Sequence, residues 1–267
     1  MSFHLAGIIP ISSDCSGFGM PWPPSMMPIG ENYVGVERSV IECAYAGCET
    51  IWLVCDDDVK PIIRYRVGDK VLDPVWVSRR YERRRDDFKK TIPIYYAPMQ
   101  NRDRNLKGLS WRILHGAQVS TKICRGLSKR LAPTRYYVSF PNSLYHPGFI
   151  RTHRKELSSK SGTVLVNSGA SIKNNTPLGF TFDHDDYNQI REAIKQKSIK
   201  EGRYLKSLSL SEAFSNIPDD NKIEVEKFWP IEDWGSYCQF MGQLPFGFKR
   251  PSKHILDSKE FNGIGID

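Results

Sequence analysis

The 267-residue sequence lacks long hydrophobic runs: no apolar segment approaches the ~20 residues that a membrane-spanning helix needs. It also begins without the signal-peptide pattern, in which basic residues precede an apolar stretch. No internal repeat is visible. From these absences we expect a soluble, cytoplasmic protein.

Paired cysteine motifs are also missing. The six cysteines include no C-x-x-C motif and no Cys/His pair at zinc-finger spacing, so the sequence predicts no structural zinc site. Cys43 and Cys48 lie on a predicted helix, and Cys55 ends a predicted buried strand. We interpret these three as small core residues in a reducing compartment.

The sequence contains enough apolar residues to form a hydrophobic core. Hydrophobic residues make up 40% of the sequence and aromatic residues 12%, which excludes global disorder. The net charge of +8 favours anionic partners such as nucleotides, sugar phosphates, nucleic acid or acidic surfaces. A mildly basic protein without such a partner is an equally good interpretation of the charge alone.

The first sixty residues predict a strand–loop–helix–strand unit. An apolar strand over Ala6–Ile11 is followed by a loop rich in glycine and proline, over residues 12–25. A helix over Val34–Ala46 shows apolar residues at i, i+4 spacing and ends before Gly47, and a second strand follows over Thr50–Cys55. Such a βαβ unit predicts a parallel sheet with a ligand at its carboxyl edge.

The rest of the chain continues the alternation of strands and helices. Further strands are predicted over Ile92–Ala97, Arg135–Phe140, Thr163–Val166, Leu178–Phe182 and Ile223–Phe228, and further helices over Val59–Val67, Leu109–Leu127, Gly148–Leu157 and Tyr187–Lys197. Residues 195–211 are basic and serine-rich and predict an exposed connector. Residues 245–267 are typical of an extended arm.

Several clusters have two interpretations. Gly17 and Gly19 would let backbone N–H groups approach a phosphate, although turn geometry explains them equally well. Asp56–Asp58 and Asp183–Asp186 have the composition of metal sites, but each precedes a predicted helix, so we predict helix capping. Arg79–Lys90 suits nucleic-acid phosphates, but its interspersed acids favour a solvated segment.

The order of elements resembles that of the sugar nucleotidyltransferase family, whose Rossmann-like core is shared with GT-A glycosyltransferases. The resemblance covers most of the chain, to about residue 245. Gly17–Gly19 stands where the family has G-x-G-T-R, and Met26–Ile29 where it has an M-L-P-I-like segment. The passage from Tyr45 to Val54 is similar to the family's "AAGIEEIIIV". The general character of the sequence is also similar to proteins of large tailed phages, in which case the compartment would be the host cytoplasm.

The resemblance implies a Rossmann-like nucleotide-diphospho-sugar transferase fold: α/β, with a mainly parallel sheet flanked by helices. It implies a nucleotidyltransferase-like core over residues 1–190, and a C-terminal portion over 191–267 that completes the core and carries a basic tail. Gly17, Gly19 and Gly108 would bind the nucleotide, the last in place of the family's G-L-A turn near the base. Asn142 and Asp233 would hold Mg²⁺ or Mn²⁺, Asp233 in place of the family's D-x-G-T aspartate.

The sequence departs from the family at the charged positions. Met20 follows Gly19 where threonine and arginine would begin, and Pro24 occupies the position of a lysine. Asn142 replaces the aspartate of the usual G-D pair, so a metal would lose one charged ligand. These are the charges that a reaction between two phosphate-bearing substrates needs.

Three hypotheses follow. The first is an enzyme that binds a nucleotide or nucleotide-sugar and transfers a nucleotidyl or glycosyl group with a divalent metal. The second is a catalytically degenerate relative with a binding or structural role. The third is a basic protein that binds nucleic acid through Arg79–Lys90.

Overall fold

The first strand, β1 (Leu5–Pro10), lies inside the main sheet and is buried along its whole length. It pairs in parallel with β4 (Thr50–Asp56) on one side and with β7 (Arg135–Val138) on the other. A strand between two parallel neighbours, covered on both faces, has no solvent side, and the sequence LAGIIP is correspondingly apolar throughout.

The computed structural model describes residues 3–12, 17–20, 22–75, 91–99, 106, 108–128, 131–202, 205–243 and 248–251. The other strands of these residues are β2 (Pro28–Gly30), β3 (Tyr33–Val34), β5 (Lys70–Leu72), β6 (Thr91–Met99), β8 (Ser143–Leu144), β9 (Thr163–Val166), β10 (Phe180–Asp183), β11 (Asn221–Glu224) and β12 (Trp229–Pro230). The helices are α1 (Gly35–Ala46), α2 (Lys60–Val67), α3 (Leu109–Leu127), α4 (Gly148–Thr152), α5 (Arg154–Leu157), α6 (His184–Glu201), α7 (Leu210–Phe214) and α8 (Trp234–Gln243), with short 3₁₀ turns at Pro24–Met26 and Ile172–Asn174.

Among the described residues, eight strands form the main sheet, in the order β11-β9-β10-β7-β1-β4-β6-β5. β10 and β5 pair antiparallel with their neighbours, and the other pairs are parallel. The predicted α/β fold with a mainly parallel sheet flanked by helices is therefore confirmed. The chain passes from β1 to β4 and β6 on one side and returns to β7 on the other, which makes the β1–β7 boundary a topological switch point.

Two apolar clusters cover the two faces of the sheet. On one face Val40 of α1 belongs to the same cluster as Ile9 of β1. On the other, Ile113 of α3 belongs to a cluster with Ile8 and Trp52. The alternation of Ile8 and Ile9 between the clusters is the two-residue period of a strand buried on both faces. None of the helices in the described ranges has the length and apolar character to cross a membrane.

Local signals in the sequence place several elements correctly. α3 has the predicted bounds, and α1 ends at Gly47, which adopts a left-handed backbone with φ of 94°. The acidic cluster before α6 is a cap: an Asp183 oxygen accepts the backbone N–H groups of Asp185 and Asp186 at 2.9 Å each. Asp186 in turn accepts the N–H of Asp183 at 2.9 Å, which completes a capping box.

Other local predictions are wrong. The expected connector over residues 195–211 begins as helix, because α6 continues to Glu201 and stops only at Gly202, a left-handed C-cap. The helix expected over Gly148–Leu157 is broken into α4 and α5 at His153. The N-cap of α2 is Val59, which makes no side-chain cap, and the Asp56 carboxylate instead pairs with Arg112 of α3 at 3.0 Å.

The prediction of an extended C-terminal arm is wrong for residues 248–251. Phe248 is buried and donates its N–H to the carbonyl of Ile29 in β2 at 2.7 Å. Arg250 lies 3.0 Å from the buried carboxylate of Glu37 on α1. This segment is therefore docked on the N-terminal part of the chain.

Three expectations remain predictions. Residues 252–267 and the charge run Arg79–Lys90 lie outside the described residues, so neither the rest of the arm nor the run is tested. The division at residue 190 is also a prediction, although α6 runs continuously across that position and β11 joins the main sheet.

Candidate functional site

A cavity of about 280 Å³ lies at the carboxyl ends of β1 and β7. Pro10 and Ser12 line it from the end of β1, and the segment Phe140–Ser143 lines it from the end of β7. Because these strands flank the switch point, their following loops diverge and leave a crevice between them. The cavity is therefore where an open α/β sheet is expected to bind a ligand.

The loop after β1 forms part of the rim. Gly17 lines the cavity and is exposed, while the next residue, Phe18, is buried. A Cβ atom on Gly17 would lie 2.7 Å from the carbonyl oxygen of Glu232, which is too close for any side chain. The Phe18 carbonyl accepts the indole N–H of Trp234 at 2.6 Å, so the start of α8 holds this loop in place.

The two other glycines that the sequence singles out lie in different surroundings. Gly19 is exposed in a left-handed conformation with φ of 61°, and it is not part of the cavity wall. Gly108 precedes α3 with φ of 108°, and a Cβ atom there would lie 2.8 Å from the Leu208 carbonyl oxygen. Close packing accounts for Gly108, while its neighbour Leu109 lines the cavity.

The predicted metal residues lie on adjoining segments. Asn142 lines the cavity, and its carbonyl accepts the N–H of Ile231 at 2.8 Å, which extends the antiparallel pairing of β8 and β12. That pairing brings Glu232 onto the cavity wall and Asp233 to its rim next to Gly17. Residues about ninety positions apart in sequence therefore meet at one edge of the sheet.

The Asp233 carboxylate acts as a turn acceptor at the start of α8. One of its oxygens accepts the N–H of Ser236 at 2.8 Å and the Ser236 hydroxyl at 3.0 Å. The backbone hydrogen bond from Ser236, followed by its hydroxyl, lowers the pKa of Asp233 below its usual value. Asp233 is exposed to solvent, and its carboxylate is ionised at neutral pH.

The donor set does not fit Mg²⁺ or Mn²⁺. Among the residues that the structure describes, no three His, Cys, Asp or Glu side chains are grouped so as to hold a metal ion. Asn142 offers a neutral oxygen, and one Asp233 oxygen already accepts two hydrogen bonds. Mg²⁺ favours octahedral oxygen coordination with carboxylates, so we assign no reaction step to a metal at these residues.

A buried network fixes the wall of the cavity on the β7 side. Arg38 of α1 donates from Nη2 to the Phe140 carbonyl at 2.8 Å, and its Nη1 lies 2.7 Å from Glu42. Glu42 accepts the hydroxyls of Tyr137, at 2.5 Å, and of Tyr145. Burial, followed by the charge of Glu42, raises the pKa of both tyrosines well above the usual value, so they stay neutral donors.

Several of these contacts were not predicted from the sequence. Glu232 directly precedes the aspartate of the D-W-G-S motif, and this position could have indicated that Glu232 lies near the cavity. Arg38 and Glu42 are four residues apart on the helix, a spacing that brings two side chains together. Pro177 lines the cavity because the Ser143 hydroxyl donates to its carbonyl, and no local pattern points to that contact.

Comparisons with solved structures agree on the architecture. A putative glucose-1-phosphate thymidylyltransferase from Bacillus anthracis superposes with a TM-score of 0.61 at 10% identity, over 94% of this chain and 98% of that one. A UTP-bound UGPase from Acinetobacter baumannii superposes with a TM-score of 0.57 at 11% identity, over 98% of both chains. A UDP-glucose pyrophosphorylase complexed with UDP-glucose gives 0.51 at 11% identity, over 91% of this chain and 98% of that one.

No protein-family model matches the sequence, and no curated protein matches it either. At about one identical residue in ten, the structural likeness shows the fold and not the activity. The chain therefore shares the Rossmann-like fold of the sugar nucleotidyltransferases.

Proposed function

We propose that the chain is a nucleotidyltransferase-like protein that binds a nucleotide or nucleotide-sugar at the β1–β7 cavity. The observation that carries the proposal is the position of the cavity at the switch point of the sheet. The chain that forms this sheet superposes over more than nine-tenths of its length on a putative glucose-1-phosphate thymidylyltransferase and a UTP-bound UGPase. The phosphates would lie over the exposed glycines Gly17 and Gly19 at the rim. Transfer of a nucleotidyl or glycosyl group with Mg²⁺ or Mn²⁺ is the activity that the resemblance implies.

A catalytically degenerate relative is the second candidate, and specific observations favour it. The cavity is lined by four prolines, Pro10, Pro24, Pro141 and Pro177. Pro24 stands at the position of the family's lysine. Met20 replaces the start of the threonine–arginine pair. Loss of these cations would remove transition-state stabilisation while leaving a binding site.

Binding and turnover assays separate the two candidates. Calorimetry with UTP, dTTP, UDP-glucose and dTDP-glucose, each with and without Mg²⁺ or Mn²⁺, should detect binding of at least one ligand. Pyrophosphate release from a nucleoside triphosphate and a sugar 1-phosphate would support the enzyme, provided that Asp233→Ala abolishes it. Binding without turnover would support the degenerate relative.

A matched control is Asp57→Ala, which removes an exposed carboxylate that does not line the cavity. It should leave both binding and turnover unchanged. If none of the four nucleotides binds under any of these conditions, the proposed function is wrong.

A further inference from the structure

We propose that a second cavity, between α3 and α6, binds an organic monoanion with a flat apolar body. The cavity measures about 1130 Å³, and among the described residues it shares no lining position with the β1–β7 cavity. It lies on the face of the sheet that α3 covers, opposite to α1. The proposal goes beyond the proposed function and does not depend on it.

The cavity opens where the packing of α6 against the sheet ends. Tyr187 and Ile190, near the start of α6, are buried in the same apolar cluster as Ile113 of α3. Farther along the helix, Ile194 is only partly buried and Ile199 is 64% exposed, although both line the cavity. The C-terminal half of α6 is therefore separated from α3 by a space that a ligand can enter.

The wall formed by α3 and the end of β6 is apolar. Trp111 and Leu114 lie one turn apart on α3, and Met99 is the last residue of β6. Met99 and Leu114 are 2% and 5% exposed, so they lie at the inner side of the cavity. The indole of Trp111 offers a flat surface to a planar group. Sites for drug-sized ligands occupy ~300–1,000 Å³, so this space is sufficient for a complete small molecule.

The wall formed by α6 carries positive charge. Arg191 and Lys195 line the cavity one turn apart, and α3 contains no Asp or Glu along its nineteen residues. Glu192 is the one acid among the described lining residues. Its carboxylate already accepts a hydrogen bond from Gln196 at 2.7 Å and lies 3.7 Å from Lys195. Arg191 is therefore the cation that stays available to a ligand.

Arg191 selects the charge of that ligand. Its guanidinium carbon lies 5.6 Å from the centre of the Tyr187 ring, and within the described ranges it forms no ion pair with a carboxylate. A guanidinium presents parallel N–H donors that match the two oxygens of a carboxylate. An anionic group would pair with Arg191 while the apolar body lies against Trp111. A cationic ligand would be repelled by Arg191 and Lys195.

Three indoles that share one ring system test this charge preference. At neutral pH indole-3-acetate is an anion, indole-3-acetamide is uncharged and tryptamine is a cation. Their affinities would be measured by displacement of 8-anilinonaphthalene-1-sulfonate, an aromatic anion whose fluorescence rises in apolar surroundings. We expect the dye to bind the native protein, and indole-3-acetate to bind about tenfold more tightly than the amide, as one charge-assisted hydrogen bond predicts. Tryptamine should bind most weakly.

Substitutions then assign the site. Arg191→Met should weaken the dye and indole-3-acetate about tenfold and leave indole-3-acetamide unchanged. Lys200→Met is the matched control, since it removes an exposed cation of the same helix that does not line the cavity, and it should change nothing. Ser198→Trp should fill the cavity and abolish binding of the dye and of all three indoles. Serine and tryptophan have similar helix propensities, so the melting temperature should stay unchanged.

Several results would overturn the proposal. Equal affinities for the three indoles, or equal effects of Arg191→Met and Lys200→Met, would contradict a site for an anion. Dye binding that survives Ser198→Trp would place the ligand elsewhere on the protein. Dimerisation in sedimentation that excludes the dye and is lost in Ser198→Trp would assign the space to a second copy of the chain. Absence of dye and indole binding would also contradict the site, while nucleotide binding at the β1–β7 cavity would stand or fall separately.

Discussion

The Arg38–Glu42 pair is a residue-scale feature with a large expected energetic effect. Both side chains are 0% exposed, and their charges lie 2.7 Å apart. Arg38→Met would leave the Glu42 carboxylate buried without its counterion, a change that costs about 3–5 kcal/mol. Urea denaturation should therefore show a lower free energy of unfolding by that amount.

The control is an arginine–aspartate pair on the surface. Arg64 and Asp69 form two hydrogen bonds of 2.8 Å each, but their side chains are 55% and 60% exposed. Arg64→Met should lower the free energy of unfolding far less than Arg38→Met does, since water solvates both charges after the pair is lost. Equal costs for the two substitutions would mean that burial of the Arg38–Glu42 pair does not set its contribution.

At the level of single residues, the sequence indicates site residues that follow from local patterns but not those that long-range contacts bring to the site. Gly17 lies on the cavity wall, and its position in a glycine-rich loop after the first strand is a local signal, while its role in binding a nucleotide remains a prediction. Glu232 was missed, since its place on the wall depends on the pairing of β12 with β8 across about ninety residues. The roles of Asn142 and Asp233 as metal ligands remain predictions.

Among the elements, α7 depends on its capping residues. The Ser209 hydroxyl accepts the N–H of Glu212 at 3.2 Å, and Glu212 accepts the Ser209 N–H at 3.0 Å. Glu212 also accepts a hydrogen bond from Lys197 of α6 at 2.7 Å. The Lys197 ammonium, followed by the Ser209 groups, lowers the pKa of Glu212 from 4.5 to about 2.

This lowered pKa predicts a pH dependence of stability. Because the pKa is lower in the folded state than in the unfolded chain, the Glu212 contribution is complete above pH 4.5 and disappears as the pH falls toward 2. Glu212→Gln should thus reduce the urea midpoint at pH 6, and the difference from the unmodified protein should shrink toward pH 2.5. The difference in urea midpoint at pH 6 should be modest, since the Glu212 side chain is 46% exposed.

Glu192→Gln provides the comparison for that experiment. Glu192 lies on α6 in an exposed pair with Lys195 at 3.7 Å. Its substitution should change the midpoint little at either pH. A Glu212 effect that persists unchanged at pH 2.5 would show that the carboxylate charge is not its source.

Elements long enough to show a periodic spacing of apolar residues were predicted, and elements too short to show one were not. α3 extends over nineteen residues, enough for several turns of apolar spacing, and its bounds are confirmed. β8 and β12 have two residues each and therefore no alternation to recognise. The end of α6 was missed because a basic, serine-containing stretch resembles a connector, although it contains neither glycine nor proline before Gly202.

At the scale of the whole molecule, the order of elements predicted the α/β class, but the sequence did not provide the order of strands in the sheet. β10 inserts antiparallel between β9 and β7, and the 248–251 segment returns to β2. Both arrangements depend on long-range packing, which leaves no local signature. The buried cysteines, in contrast, were predicted as core residues, and Cys43, Cys48 and Cys55 are confirmed as such.

These cysteines provide a test of the whole fold. Cys43, Cys48, Cys55 and Cys124 are buried, and Cys238 is exposed. Burial raises the pKa of Cys55 to about 12, so at pH 8 almost none of this thiol is present as the thiolate, which is the reactive form. In a Cys15→Ser background, which removes the cysteine outside the described residues, a thiol reagent should therefore label one group rapidly.

The remaining four thiols should react only as fast as the fold opens, and all five should react at once in concentrated urea. A further Cys238→Ser substitution should remove the rapid phase and leave the slow one unchanged. The rate of the slow phase against urea concentration then measures the opening free energy of both faces of the sheet, since Cys43 and Cys124 belong to different apolar clusters. Rapid labelling of two or more thiols without denaturant would contradict the packing of at least one face.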